Sequence, residues 1–285
     1  MNPGQSFSGA AYGIAWRLVA GALITLSRAG MPLLLVLVSL ATDPPIGPLQ
    51  LVQLVALFVA LPALLARLIR RAFRAEITFG AEALRVQRAD RVVDIPLPAI
   101  ARVAPWTVPL PNSGLSLGLR SGRRLELGLQ LEDPAPLLAR LAERIGEPAA
   151  AAARHPVVAY ATARAAAWSR WRWHHYAVKF AAFPLLPVGV LFNAHQHIAY
   201  GGTLGEYYLL GLGAYVETFA IYWAVVMLYL VLYAGSWRCA AELVAWAATW
   251  AAPSRAARVR RIVEFTCGLL YYAGVPALLA ARFLS

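Results

Sequence analysis

Five long apolar runs dominate the pattern of hydrophobic and polar positions along the chain. Each run is about 20 residues long, which is the length of helix that crosses a hydrocarbon core of roughly 30 Å. The pattern therefore predicts a membrane α-helical bundle of about five transmembrane helices. The runs lie at residues 22–42, 50–69, 176–198, 212–234 and 262–282.

The pattern changes from continuous to alternating between Glu76 and Glu132. Stretches such as "EITFGAEALRVQRADRVVDIPL" and "GLSLGLRSGRRLELGLQL" repeat with the period of two that a strand with one buried face requires. Turn residues separate the alternating runs, as at Gly80, Asp90 and Gly122. Six short strands fit this stretch, which we interpret as a β domain inserted between the second and third spans.

A helix is predicted to close the β domain, in the stretch "EDPAPLLARLAERIGEP". Asp133 is placed to cap its N-terminus, and Pro134 occupies its first turn. Gly146 ends it, because a glycine readily takes the backbone conformation found just after a helix. Four apolar residues form a stripe along one face: Leu137, Leu138, Leu141 and Ile145.

The order of these elements resembles the small PH-like domains that bacterial polytopic membrane proteins carry. The resemblance rests on the first strand pair, on "VVDIPLPAIARV", on the hairpin "SLGLRSGRRLELGL" and on the helix opened by Asp133 and Pro134. Ile95, Ile100 and Val103 stand where the family has an isoleucine-led strand turning into the next one. The six predicted strands are fewer than the family's seven. The resemblance implies a PH-like small barrel with a C-terminal helix that acts as a binding or scaffolding module, and it carries over no catalytic residues.

The sequence thus divides into four regions. Residues 1–75 form an N-terminal transmembrane hairpin, residues 76–146 the cytoplasmic PH-like domain, and residues 147–175 a basic, tryptophan-rich juxtamembrane helix. Residues 176–285 form a C-terminal transmembrane region that includes an interfacial helix at 236–252. The apolar part of that helix is only about 15 residues long and has arginines at both ends, which is too short for a sixth span.

Composition supports a membrane protein, and charge gives it an orientation. The chain is 60% hydrophobic and has a mean hydropathy of +0.59. Its net charge of +12 would suit a nucleic-acid-binding protein, but the arginines cluster at the ends of the apolar runs, and we expect no nucleic acid partner. The loops at 43–49 and 199–211 contain no Arg or Lys. The positive-inside rule then places the N-terminus and residues 70–175 and 235–261 in the cytoplasm, and the C-terminus in the periplasm. The family resemblance and the abundance of Arg and Ala favour a bacterial inner membrane.

Tryptophans and arginines alternate where the chain approaches the membrane, and we expect them to contact the lipid interface. Trp favours the headgroup level, and Arg there attracts anionic headgroups. The pattern fits either an aromatic belt or a specific lipid headgroup site. The predicted interface residues are Trp168, Arg170, Trp171, Arg172, Trp173, Trp237, Trp246 and Trp250.

Polar residues concentrate in "FNAHQHIAYGGTLGEY", at the outer end of the third span. His195 and His197 point about 200° apart if they lie on a helix, but they share a face if the chain is extended. Together with Glu206 they would bind a divalent metal only if the helix unwinds before His195. If the helix continues, the stretch is a polar helix end followed by a glycine turn and an outer aromatic belt.

The sequence favours a non-enzymatic role. It contains no P-loop, no GxGxxG after a strand and no HExxH, so no cofactor is expected. We interpret the protein as an accessory or scaffold subunit whose PH-like domain binds the anionic lipid surface or another membrane or cytoplasmic protein. The alternative is a membrane enzyme or metal-handling subunit with its site at His195, His197 and Glu206.

Overall fold

The computed structural model describes residues 6–41, 46–122, 127–169 and 172–284. The chain forms two compact units. The first comprises residues 1–28, 56–168 and 242–263, and the second comprises residues 29–55, 169–241 and 264–285. The protein is mostly helical, with one curled antiparallel sheet that forms a half-barrel. The helices are α1 (Ile14–Leu40), α2 (Pro48–Val55), α3 (Leu61–Ala72), α4 (Ala135–Ile145), α5 (Glu147–Ala153), α6 (Pro156–Trp168), α7 (Trp173–Ala177), α8 (Leu185–Tyr200), α9 (Gly205–Ala251), α10 (Ala256–Tyr272) and α11 (Gly274–Leu284).

The described residues include five helical segments that are long and apolar enough to cross a membrane, which indicates a membrane protein. Short π-helical turns, Ala56–Ala60 and Val178–Ala182, lie within the second and third of them. The five segments are Ile14–Leu40, Pro48–Ala72, Trp173–Tyr200, Gly205–Ala251 and Pro253–Ala281.

Helix α9 is longer than the sequence analysis expected. It runs from Gly205 to Ala251 with a break at Gly211, whose φ of 87° and ψ of 173° are not helical. At 1.5 Å per residue, the uninterrupted part after Gly211 is about 60 Å long, roughly twice the 30 Å hydrocarbon thickness. The predicted interfacial helix at 236–252 therefore belongs to the same helix as the fourth span, as far as Ala251. Its position at the lipid interface stays a prediction. Arg238 and Glu242 lower the hydropathy of this part of the chain, but they do not break the helical backbone.

The sheet contains seven strands in the described residues, in the order β4-β3-β2-β1-β7-β6-β5. The six strands predicted between Glu76 and Glu132 correspond to β2–β7. The closing helix is α4, which ends at Gly146 with a φ of 70°. The strands are β1 (Ser6–Tyr12), β2 (Arg74–Phe79), β3 (Ala83–Arg88), β4 (Val92–Pro96), β5 (Ile100–Pro105), β6 (Gly114–Leu119) and β7 (Gly128–Gln130).

Strand β1 is the element that the sequence analysis missed. It lies in the middle of the sheet, antiparallel to β2 over five residue pairs from Ser6↔Thr78 to Ala10↔Arg74, and antiparallel to β7 on its other side. Its sequence "SFSGAAY" has small residues in place of alternating large apolar ones, so its period of two is weak. The segment assigned to the transmembrane hairpin therefore also supplies the strand that joins the two halves of the sheet.

Two neighbouring strands continue directly into membrane helices. Only Gly13 separates β1 from α1, and only Phe73 separates α3 from β2. The Ala11 amide donates a 2.9 Å hydrogen bond to the Phe73 carbonyl, and the Tyr12 and Phe73 rings pack edge to face with centroids 5.9 Å apart. The middle of the sheet is therefore held at the ends of α1 and α3.

The concave face of the sheet packs against α4. Leu137, Leu138 and Leu141 of the predicted apolar stripe are completely buried. They lie in one core with strand residues such as Ile77 and Leu129. Burying each of these side chains stabilises the fold by about 1.5–3 kcal/mol, so the half-barrel and its helix form one folded domain.

A tryptophan packs closely against glycines at the other end of the sheet. Trp106 is almost completely buried, and its ring lies where a Cβ at Gly114 or Gly128 would be, at 2.7 and 2.6 Å. Its indole N–H donates to the Ser116 hydroxyl at 3.0 Å. The guanidinium of Arg17, from the first turn of α1, stacks 3.9 Å from the ring centroid. Trp106 thus connects the sheet to the start of the first membrane helix.

Replacing Gly9 with valine should destabilise the protein, because a Cβ at this position would overlap the carbonyl oxygen of Gln130 on β7. We expect a loss of about 1–3 kcal/mol, measured as a lower thermal unfolding midpoint in detergent. Ser8→Val is the matched control, since Ser8 is exposed on the same strand. Equal midpoints for the two variants would contradict the close approach of β1 and β7.

Candidate functional site

The helix that carries the two outer histidines does not unwind. Helix α8 runs without interruption through His195 and His197 to Tyr200. The His197 Nδ1 atom lies 2.9 Å from the Asn193 carbonyl oxygen one turn earlier. The His195 ring packs beside Tyr200 and Tyr222, with centroid distances of 5.9 and 5.2 Å. The two imidazoles were expected to converge only if the helix unwinds before His195, and it does not.

Glu206 is held by other side chains. Its carboxylate accepts hydrogen bonds from Gln196 Nε2 and Thr218 Oγ1, both at 2.6 Å, and its backbone amide donates to Gln196 Oε1 at 3.2 Å. A carboxylate in the first turn of α9 also interacts favourably with the helix dipole. Within the described ranges, no group of three or more His, Cys, Asp or Glu side chains is placed to hold a metal ion. The metal site at His195, His197 and Glu206 stays a prediction that the geometry does not favour.

The predicted lipid-interface residues fall into separate groups. Trp168 and Arg172 are exposed, and Trp173 is 80% exposed; Arg170 and Trp171 lie outside the described residues. Trp246 and Trp250 pack together near the end of α9, with ring centroids 6.2 Å apart. Trp237, two turns earlier on the same helix, is half-buried.

A buried charged cluster joins three helices within the first unit. The Glu242 carboxylate accepts two hydrogen bonds from Arg260, at 2.7 and 2.9 Å, and one from the Tyr160 hydroxyl. The Arg164 Nε atom lies 3.7 Å from the same carboxylate. Arg260, Arg164 and Glu242 are only 3%, 7% and 9% exposed. We call Tyr160, Arg164, Glu242 and Arg260 the junction cluster, since they connect α6, the end of α9 and α10.

The chemistry of the junction cluster is that of a structural ion pair. Two parallel hydrogen bonds from one guanidinium to one carboxylate give a strong, directional interaction. Burial, and then the negative charge of Glu242, raise the pKa of Tyr160 to about 12. The hydroxyl therefore keeps its proton at neutral pH and donates a hydrogen bond to Glu242. The cluster has the geometry to fix α6, α9 and α10 against one another.

Arg164 extends the junction cluster toward the β domain. Its Nη1 atom donates to Asn112 Oδ1 at 2.7 Å, in the loop between β5 and β6. Its guanidinium also stacks on the Trp168 ring, 4.8 Å from the centroid. One buried side chain thus contacts Glu242, the β5–β6 loop and the exposed Trp168 ring.

The other side of Arg164 borders a cavity of about 360 Å³ in the same unit. Four arginines line it, from α1, α3 and α6: Arg28, Arg67, Arg70 and Arg164. Its single acidic side chain among the described lining residues is Glu132, which lies 3.8 Å from Arg70 in a solvent-exposed pair. Small apolar residues such as Ala20, Ala63 and Ala66 form the remaining wall. We call this cavity the basic pocket.

A wider recess of about 860 Å³ shares Arg67 and Arg70 with the basic pocket. It adds Arg71 and Arg74, at the end of α3 and the start of β2, and the polar backbone of β1. Asp133 of the same recess accepts hydrogen bonds from the Ala135 amide and the Thr162 hydroxyl. Positive charge is therefore concentrated where α3 passes into the sheet.

Parts of this site were predicted from the sequence, but the contacts that bring them together were not. Trp246 and Trp250 were predicted as interface residues, and the arginines were seen to cluster at the ends of the apolar runs. The partners of Glu242 are 18 and 82 positions away along the chain, and no local pattern links them. The one available signal was a carboxylate among the apolar residues near the end of α9, because such a group requires a partner.

Comparison of the chain with protein families, with curated proteins and with solved structures found no match. The resemblance to PH-like domains therefore rests on the sequence pattern alone. The fold that the structure supports is the coarser one, a set of long apolar helices with a curled seven-stranded antiparallel sheet. Function has to be argued from the geometry of the junction cluster and the basic pocket.

Replacing Glu242 with glutamine should destabilise the protein strongly, because two buried guanidinium groups would lose their counter-charge. Removing one partner of a buried ion pair costs about 3–5 kcal/mol, measured as a lower thermal unfolding midpoint in detergent. Glu143→Gln is the matched control, since Glu143 makes only an exposed pair with Arg140 and should cost less than about 1 kcal/mol. Similar losses in the two variants would show that the junction cluster does not stabilise the fold.

Acidification should destabilise the protein partly through His155, which packs edge to face on Trp250 with centroids 5.3 Å apart. Burial lowers the pKa of His155 below its ordinary value of 6.5. The unfolded chain then binds a proton before the folded one, so this contribution to stability is present above pH 6.5 and is lost as the pH falls through the lowered pKa. Unfolding midpoints between pH 7.5 and 5 should fall less in His155→Gln than in the wild type. The exposed His174→Gln variant should follow the wild type, and an identical fall in all three proteins would contradict this role.

Proposed function

We propose that the chain is a polytopic accessory or scaffold protein of a bacterial inner membrane, and that it holds a PH-like β domain against the anionic cytoplasmic lipid surface. The observation that carries the proposal is the continuity of β1 with α1 and of α3 with β2. A sheet whose neighbouring strands β1 and β2 are each joined to a membrane helix by a single residue has little freedom to leave the membrane surface. This arrangement suits a fixed binding platform better than a mobile domain on a linker.

The charge distribution supports the lipid surface as the binding partner. Four arginines lie within eight residues where α3 meets the sheet: Arg67, Arg70, Arg71 and Arg74. Each basic side chain near an anionic bilayer contributes about 1 kcal/mol of attraction. The loops at 43–49 and 199–211, on the opposite side in the proposed topology, have no Arg or Lys. The positive-inside rule then favours a cytoplasmic β domain.

The buried polar groups support a non-enzymatic role. Glu206 and Glu242 are each occupied by hydrogen bonds to neighbouring side chains. The partners of Glu206 lie on α8 and α9, and those of Glu242 lie on α6 and α10, as expected of groups that fix a fold. An accessory protein of this kind would act through the surface that it presents.

Anionic lipid should stabilise the protein through the arginines at the end of α3. In nanodiscs, adding an anionic lipid to a zwitterionic one should raise the thermal unfolding midpoint, and high salt should reduce the increase. Arg71→Gln with Arg74→Gln should lose a large part of the increase, because both side chains are exposed where α3 meets the sheet.

The matched control carries the same loss of charge on α4, as Arg140→Gln with Arg144→Gln, where both arginines are exposed. This control should respond to anionic lipid like the wild type. An equal response of both double variants would contradict a lipid-binding surface at α3, and a midpoint that is insensitive to lipid charge would overturn the proposal.

A further inference from the structure

The basic pocket has the size and composition of a discrete ligand site. Its volume of about 360 Å³ falls in the range of roughly 300–1,000 Å³ that is usual for small-molecule sites. Four guanidinium groups face a single described carboxylate, that of Glu132. A pocket with this excess of positive charge fits an anion, and guanidinium groups match the geometry of phosphate oxygens.

Arg67 is the arginine best placed to meet such an anion. It lines the pocket from α3 and its side chain is exposed. Within the part of the chain that the structure describes, no carboxylate lies within 4 Å of its guanidinium. Its five N–H donors are therefore not occupied by an ion pair with a described acidic residue.

Arg164 provides a second contact whose orientation is already fixed. Asn112, Trp168 and the junction cluster hold its guanidinium before any ligand arrives. An arginine that is ordered in advance loses little conformational entropy on binding, so more of its interaction energy contributes to affinity. On the sheet side, the Tyr12 hydroxyl donates to Gln130 Oε1, which leaves the amide nitrogen as the donor of that side chain.

The opposite wall of the pocket is apolar and belongs to membrane helices. Ala20 is on α1, and Ala63 and Ala66 are on α3. Both helices are among the segments long and apolar enough to span a membrane. Alanines leave room for a ligand that a larger side chain would fill, and their methyl groups suit a glycerol backbone and the first methylenes of an acyl chain. A free phosphate has no apolar group that could pack against these alanines.

We propose that the basic pocket binds one anionic glycerophospholipid, with its phosphate held by Arg67 and Arg164 and its glycerol region packed against Ala20 and Ala63. The site rests on the proposed function, because it takes its ligand from the same lipid surface. It differs from general surface attraction in two ways. It saturates at one lipid per chain, and it depends on the shape of the pocket as well as on its charge.

Calorimetric titration of the full-length, delipidated protein in a neutral detergent tests this site. The probe is dihexanoyl phosphatidylglycerol below its micelle concentration. We expect one saturable site per chain and weaker binding of dihexanoyl phosphatidylcholine. Arg67→Gln should weaken binding by about tenfold or more, which is the usual effect of losing a hydrogen bond to a charged group.

A pair of alanine variants separates the shape of the pocket from its charge. Ala63→Leu places a larger side chain in the pocket and should also weaken binding by about tenfold. Ala60→Leu is the matched control, since Ala60 is exposed on the same segment and does not line the pocket. It should bind like the wild type. Size-exclusion profiles of all variants check that they fold.

Three results would overturn the pocket assignment. The first is the absence of a saturable site, and the second is equal weakening by Ala60→Leu and Ala63→Leu. The third is binding of inorganic phosphate or glycerol 3-phosphate as tight as that of the lipid, which would identify a soluble phosphate as the ligand. If Arg71→Gln with Arg74→Gln abolishes the anionic-lipid effect in nanodiscs while the calorimetric site is missing, the proposed function stands and the pocket fails.

Discussion

The buried carboxylate of Glu242 is the constraint on which the organisation of the first unit depends. A charge removed from water at this depth is tolerated only with a well-placed counter-charge and satisfied hydrogen bonds. Arg260, Arg164 and Tyr160 provide both. Because these partners come from α6 and α10, the end of α9 has few arrangements available that do not leave a charge unpaired. The cost of breaking the cluster, more than the strength of any one bond, fixes how these helices meet.

Arg164 connects this constraint to the surface where we place function. The same guanidinium contacts Glu242, the Asn112 side chain in the β5–β6 loop and the Trp168 ring, and it lines the basic pocket. One buried guanidinium thus belongs both to the junction cluster and to the lining of the basic pocket. Together with the direct connections from β1 to α1 and from α3 to β2, this ties the β domain to the adjoining helix ends of the first unit. The proposed lipid site is then a consequence of how the domain is attached.

The sequence predicted the elements whose signals are local. Hydropathy located the apolar helices, alternation located six of the strands, and the stripe of Leu137, Leu138 and Leu141 located the closing helix. Strand β1 was missed because its small residues give no strong period, and because its pairing with β7 joins residues about 118 positions apart. The continuity of α9 was missed because charged side chains near its end resembled an interfacial helix. The junction cluster and the basic pocket depend on residues from distant parts of the chain, which no periodicity reveals. The histidine pair is the opposite case, because His195 and His197 are close in sequence but are not brought together by the fold.

The central claim is that the sheet and the helix ends fold as one unit through the junction cluster. Hydrogen exchange of the full-length protein in nanodiscs, compared between the wild type and Glu242→Gln, tests it most directly. We expect faster exchange in the variant not only in α6, the end of α9 and α10, but also in the amides of β6, β7 and β1. Sheet amides that keep their wild-type protection, while only the helices exchange faster, would contradict it.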